Sequence, residues 1–455
     1  MNIYATKSSE CSSELSFYHD LFKEIPVFNI CHSSFDAQNL EQFIPTHFDV
    51  PYYFMESRDL KVLSFEVVQR INIYKNKISF KGIVDYLLEN IEVEDSLNKI
   101  ISNLTTEKNA FVASIINYSA INITENIFET DEEYGTLILY KYNIIYNKKE
   151  KKTYLLTVND MNHPLNENGV SKNISNAVGH FIYRTPKDEY IKNVMKVKED
   201  IRNGEIFQLV LSQIMYVESN ITPFQLFFNL YENNLSDYCF LINDLDKKIV
   251  CFSPETLVKV EDEKILTYPI AGTYKLNPDE NLNEKKYKLI TDTKELSEHM
   301  MLVDLSRNDL SKVCIPGTVF VNEFLRIKEL KNLIHIYSVV SGQLKNKMPF
   351  SSLLSVFPAG TLTGAPKVRA MQLINAYEAI SRGLYGGAIG YFFNNTIDFA
   401  IAIRMAINED EKVYRVQSGA GIVHLSKPEN EYKECLTKAK SILNALGVNE
   451  DDINN

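Results

Sequence analysis

The chain has 455 residues, 45% of them apolar and 24% charged, and a formal net charge of −11. That length lies beyond the size at which one hydrophobic core stops growing, so one very large unit or two domains sharing a core are expected; acidity spread without a basic stripe argues against a nucleic-acid or anionic-membrane surface. The N-terminus MNIYATKSSECSSELSFYHD lacks a basic segment followed by an apolar core, no apolar run approaches bilayer length, and the six cysteines form no CxxC pair, so a cytoplasmic protein with mostly reduced, buried cysteines is expected.

Residues 1 to about 185 carry short strand-like runs, such as KVLSFEVVQRINIY and YGTLILYKYNIIYN, separated by polar turns. The pattern changes at Thr185-Pro186-Lys187-Asp188, where a capping Thr, a Pro at the first helical position and an acid in the first turn predict a helix that ends at Gly204. A boundary is placed there, giving an N-terminal region, 1–185, and a second domain, 186–455. IFQLVLSQIMYV alternates as a strand with Phe207, Leu209 and Leu211 on one face and Gln208, Val210 and Ser212 on the other. Thr222 to Gln225 is a capping box, and YCFLINDLDKKIVCFS and LVKVEDEKILTYPI each read as two strands around a polar turn. Hairpins with helices between them predict an α+β chain of large antiparallel sheets covered by helices.

Two helices share an acidic pattern. In TDTKELSEHMMLVDLSRND, Glu295 and Glu298 lie on one face; in SKPENEYKECLTKAKSILNALG, Glu431, Glu434 and Lys438 do, behind a Ser426/Glu429 capping box. Four carboxylates from two helices suit a hard cation such as Mg²⁺, though a solvated helix face has the same appearance. Glycines in PIAGT (269–273), FPAGTLTGAPK (357–367), YGGA (385–388) and SGAG (418–421) allow close approach to a ligand, and Thr361, Gly364 and the helix start at 366 are candidates to cradle a carboxylate or phosphate. The spacing is not that of a nucleotide P-loop. Arg404, inside the apolar FAIAIRMAI, needs an anion, either a structural carboxylate or a ligand. His335, in LIHIYSVV, reads equally as a core histidine and as a proton-transfer group.

In order, IFQLVLS, FSPE, YPIAGT, KELSEHMMLVDLSRNDL, FPAGTLTGAPK, RGLYGGAIGY, DFAIAIR and SGAGIV with ENEYKE resemble the chorismate-utilising enzymes, and among them the anthranilate synthase large subunits, over most of residues 187–446. The resemblance implies two large antiparallel sheets packed together within a shell of helices, with chorismate and Mg²⁺ bound between loops and helices. It implies Glu298 and Glu434 as metal ligands supported by Glu295 and Glu431. Thr361, Gly364, Tyr385, Arg404, Lys438 and the Gly419-Ala420-Gly421 backbone become substrate-binding positions. Glu255 is implied as the acid that protonates the departing C4 hydroxyl, and His335 as a group associated with loss of pyruvate. Water-adding relatives carry a lysine base where this chain has Gln208, and common aminodeoxychorismate synthases a nucleophilic lysine where it has Ala271, beside Thr273. Ammonia at C2, giving anthranilate, is the implied chemistry; aminodeoxychorismate and amino-deoxyisochorismate synthases are the alternatives.

By the same resemblance, YFMES and the segment 234–239 fall on a tryptophan feedback site, with Glu56, Ser57, Asn234 and Tyr238 as effector positions, although the usual prolines and methionine are missing. Tyr274-Lys275-Leu276-Asn277 replaces the usual Arg-Pro-Arg-Gly. No glutaminase segment follows the last family motif, so a separate glutamine amidotransferase subunit is the expected source of ammonia.

Overall fold

The strand Leu60–Ile73 pairs along its whole length with Gly135–Asn147, and both bend midway. The register slips between Val67 and Gln69, and Glu66 has φ 59°, the geometry of a bulge that sharpens twist and redirects a strand. Each strand therefore serves two layers. The first half of Leu60–Ile73 pairs with Tyr52–Glu56 and the second with Lys77–Gly82, while Gly135–Asn147 pairs first with Val112–Ile116 and then with Lys152–Thr157. The computed structural model describes residues 3–4, 22–33, 38–44, 51–158, 177–232, 236–244, 247–275, 281–330 and 333–454.

From this hinge one layer continues through Tyr52–Glu56, Cys239–Asp244, Lys247–Cys251, Met405–Asp410 and Val413–Ile422 to Gln208–Ser219 and Gly179–Arg184. The other runs through Val112–Ile116, Ala388–Phe393, Thr396–Ile401, Thr256–Glu261 and Lys264–Thr267 to Leu333–Gln343, flanked by Ile270–Lys275 and Phe320–Leu330. All these ladders are antiparallel, so the fold is α+β with two large antiparallel layers, hydrogen-bonded to each other through the bent pair. Strands from before residue 185 pair with strands from after it in both layers, and the layers share one core.

Alternation along the strands sorts side chains between that core and the helical shell. Tyr53 and Met55 pack between the layers with Ile249 and Ile407, whereas Tyr52 and Phe54 pack outward with Val194, Phe227 and Leu443 of the helices Lys187–Arg202, Pro223–Tyr231 and Pro428–Ala445. Among the described residues no helix is long and apolar enough to cross a membrane.

Several local expectations hold and others give way. Thr222 forms the full capping box with Gln225, and both hairpins pair as expected. Thr185, however, does not cap a helix: its hydroxyl accepts from Ile214 N at 3.0 Å, and the helix begins at Lys187. Ser426 likewise accepts from Val423 N at 3.1 Å and provides no cap for Pro428–Ala445. In both cases a neighbouring strand or loop wins the hydroxyl that local sequence assigns to a helix. Phe207 precedes its strand and is 73% exposed. Arg404 is not inside a strand either: it occupies a bend between Thr396–Ile401 and Met405–Asp410 with φ 54°. Cys239, Cys251, Cys314 and Cys435 are buried, and the last three carry free thiols.

Candidate active site

The site lies where Gln208–Ser219 and Val413–Ile422 of one layer approach Ile270–Lys275 and Leu333–Gln343 of the other, bordered by the helices Thr293–Ser311 and Pro428–Ala445.

Glu255 leaves the core on the Ser253-Pro254-Glu255 turn. Its carbonyl accepts from Ile401 N at 3.0 Å, and Ser253 Oγ donates to Ile401 O at 2.7 Å. The carboxylate accepts the Thr361 hydroxyl at 2.8 Å. Burial pushes Glu255 up to about 7, against the opposing pull of Thr361 and the Lys438 charge, so a proton is available there near neutrality. Thr361 sits in the short 3₁₀ turn Gly360–Leu362. Gly364 follows at φ 145°, and a Cβ there would come within 2.1 Å of the Gln208 carbonyl; glycine lets this loop lie against the strand Gln208–Ser219. Lys367, at the end of the same motif, does not face the site: its ammonium is 2.5 Å from Oδ2 of the buried Asp309, and its own side chain is only slightly exposed.

The strand Val413–Ile422 presents Gly419 and Gly421 to the site and turns the Ala420 side chain into the core beneath the helices. A Cβ on Gly419 would meet the Tyr385 hydroxyl at 2.9 Å, and one on Gly421 the Gln208 amide at 2.8 Å, so bare backbone lies between these two polar groups. Lys438 Nζ donates to Gly419 O at 2.9 Å and pairs with Glu434 at 2.8 Å. Arg404 donates to the Lys438 carbonyl, and no carboxylate among the described residues is within ion-pair reach of it. This partly buried cation, beside Tyr385, suits a carboxylated ligand.

On the opposite side Thr273, His335 and Lys328 are direct cross-strand partners. Burial, with Lys328 and Arg404 nearby, lowers the His335 pKa, while the Gly272 backbone opposes the shift; the imidazole is predominantly neutral at pH 7. Ala271 is buried. A Cβ on Gly272 would lie 3.0 Å from Glu295 Oε2, which joins this strand to the acidic helix.

That helix starts at Asp292, whose side chain caps Lys294 N and Glu295 N. Burial, then Glu298, and also Asp292 and Glu434, raise the Glu295 pKa; burial and Glu434 raise Glu431. Glu434 of the second helix thus acts on Glu295 of the first as well as on Glu431 of its own. Gln208 Nε2 donates to Glu298 Oε1 at 3.3 Å, and the buried Gln208 Oε1 has no hydrogen-bond partner among the described residues. Hard oxygen donors with surplus negative charge fit Mg²⁺ in type, but among the described residues no three acidic, imidazole or thiol side chains converge in a cage.

Of the expected effector positions, Glu56, Ser57 and Tyr238 lie on or next to the paired strands Tyr52–Glu56 and Cys239–Asp244. Glu56 pairs with Lys148 at 2.6 Å and Lys61 at 3.5 Å and accepts from the Tyr231 hydroxyl. Ser57 caps its own turn through Leu60 N at 3.2 Å. Tyr238 donates to the buried Asp398 at 2.6 Å and lies 3.1 Å from Thr256 Oγ1, next in sequence to Glu255. Asn234, Leu276 and Asn277 lie outside the described residues. Sequence reasoning singled out neither Arg382 and Glu378, a buried ion pair behind Tyr385, nor His299, whose Nε2 lies 2.7 Å from Ser338 Oγ at the foot of the acidic helix. Arg382 opens RGLYGGAIGY, but nothing local marks it as buried.

A family model described as chorismate binding enzyme matches residues 50–444. The chain belongs to that family. Among curated relatives, anthranilate synthase component 1 of Acetivibrio thermocellus is 44% identical over 298 residues, 65% of this chain and 58% of that protein. The protein of the same name from Saccharolobus solfataricus is 38% identical over 342 residues, 73% of this chain and 80% of that one. The matched region thus spans less than two thirds of the Acetivibrio relative. Among solved structures, anthranilate synthase component I from Streptococcus pneumoniae TIGR4 superimposes with TM-score 0.73 at 28% identity, covering 84% of this chain and 92% of that one. A menaquinone-specific isochorismate synthase from Escherichia coli shares the fold with TM-score 0.73 at 18% identity.

Proposed function

We propose that the chain converts chorismate and ammonia into anthranilate, pyruvate and water in tryptophan biosynthesis, with Mg²⁺ bound and a separate glutamine amidotransferase subunit supplying the ammonia. The observation that carries this reading is the pair of neutral residues at the positions that divide the chorismate chemistries. Gln208, held against Glu298 at 3.3 Å, cannot deprotonate water as a lysine base would, and Ala271 cannot form a covalent adduct.

Arg404, Tyr385, Thr361 and the Gly419 and Gly421 backbone hold the two substrate carboxylates. Glu255, protonated over a useful fraction near neutral pH, delivers a proton to the C4 hydroxyl, which leaves as water while ammonia bonds to C2. His335, predominantly neutral, stands beside the ring for the proton loss that expels the enolpyruvyl group as pyruvate and leaves the aromatic amine. Glu298 and Glu434, supported by Glu295 and Glu431, would hold Mg²⁺, which when bound withdraws electron density through the ring carboxylate.

The test is incubation of the purified chain with chorismate, Mg²⁺ and a high concentration of ammonium at mildly alkaline pH, with products identified by mass spectrometry. Anthranilate with pyruvate is expected. Aminodeoxychorismate or isochorismate would overturn the assignment of Ala271 or Gln208, and absence of turnover would point to a partner-dependent or non-catalytic subunit.

A further inference from the structure

Arg382 is 3% exposed, yet four of its N–H bonds reach three separate parts of the site. Nε and Nη2 pair with the two Glu378 oxygens at 2.8 and 2.7 Å, Nη1 donates to Leu362 O at 2.7 Å, and Nη2 donates to Val210 O at 2.8 Å. Leu362 closes the turn that carries Thr361, and Val210 lies two residues beyond Gln208 and directly across from Gly421. The guanidinium also lies over the Tyr385 ring at 5.6 Å and the Tyr118 ring at 4.8 Å. On the far side, Glu378 accepts from Ser212 N and Oγ, both at 2.8 Å, and Gln417 Nε2 donates to Ser212 Oγ at 2.8 Å.

A planar fork of fixed donors is needed to satisfy two carbonyls and a carboxylate that face it from different elements; an ammonium, donating from a single point, cannot replace it. The ion pair alone does not account for this arrangement. A structural pair needs its counter-ion, whereas Arg382 spends two of its donors on the turn and the strand that present substrate-binding groups, and lies against the ring of a third.

We infer that Arg382 is a positioning residue that seats the Thr361 turn, the Tyr385 ring and the Gln208 strand so that their polar groups converge on the substrate carboxylates. This rests on the chorismate reading above. Arg382 does not touch the substrate; it acts through Leu362, Val210 and Tyr385.

The test compares wild type, Arg382→Lys and the double variant Arg382→Met/Glu378→Met by steady-state kinetics and thermal unfolding. Arg382→Lys keeps the charge opposite Glu378, and the double variant removes both buried charges together, a change buried pairs often tolerate. In each, KM for chorismate is expected to rise about tenfold or more while kcat changes by less than about threefold, as expected when groups that hold ground state and transition state alike lose their placement. Variants that fold and keep the wild-type KM, differing only in melting temperature, would overturn the inference and leave Arg382 a structural residue. A wild-type chain that consumes no chorismate in the same assay would overturn the chorismate reading instead.

Discussion

The Thr361 hydroxyl and the Glu255 carboxylate, 106 positions apart, lie 2.8 Å from each other. Burial sets the Glu255 proton near neutrality, and Thr361 and Lys438 moderate that shift. An acid required in its protonated form loses activity as pH rises, so kcat/KM is expected to fall through about pH 7. Lys438→Met removes a charge that favours the carboxylate, so that limb should move to higher pH. A pH profile of the two enzymes checks this; an unmoved limb would separate Lys438 from Glu255.

Glu255→Gln should reduce kcat by about 10²-fold or more and stabilise the fold at alkaline pH. The sign follows from proton binding: the folded state holds a proton on Glu255 up to about pH 7, above the unfolded carboxyl, so stability falls as pH rises between the two values. The neutral amide removes that loss. Melting temperatures of the two proteins are expected to converge at low pH and to separate above neutrality.

The acidic helices give a prediction for metal removal. Chelation should abolish turnover, and Glu298→Gln and Glu434→Gln should each raise the Mg²⁺ concentration for half-maximal rate by about tenfold or more. Full activity of either variant at low Mg²⁺ would remove these residues from the metal site.

Lys367 and Asp309 form a buried pair with side chains 11% and 8% exposed. Lys367→Met leaves the buried Asp309 with only the largely exposed Lys312, 3.1 Å away, as counter-ion, and should cost about 1–3 kcal/mol of stability. Adding Asp309→Leu should recover most of it. Urea unfolding of the three proteins tests the coupling.

At the expected feedback positions, Glu56 already engages Lys148, Lys61 and Tyr231. An amino-acid effector would have to displace these partners. Tryptophan at about 1 mM, a concentration that saturates only sites tighter than roughly that value, is expected to leave the rate unchanged. Strong inhibition would show that the ion pairs open.

The sequence by itself determined the features that need only neighbours along the chain: the Thr222 capping box, the two hairpins, the helical spacing of Glu295 with Glu298 and of Glu431 with Glu434, and the order of the glycine loops. These follow from short-range geometry, which a local pattern encodes. Tertiary structure decided which partner each polar group takes. Thr185 and Ser426 have the local form of helix caps, yet nearby backbone amides outside those helices claim them. Lys367 and Arg404 stand in equally motif-like settings, but one is neutralised by Asp309 from a distant helix and the other is left facing the ligand space. Glu255 becomes an acid with a proton to give only because the folded layers exclude water around it, and Arg382 acquires its role because three loops and strands, remote in sequence, turn their carbonyls and rings toward one buried guanidinium. Burial and long-range pairing are properties of the assembled fold, and no local pattern records them.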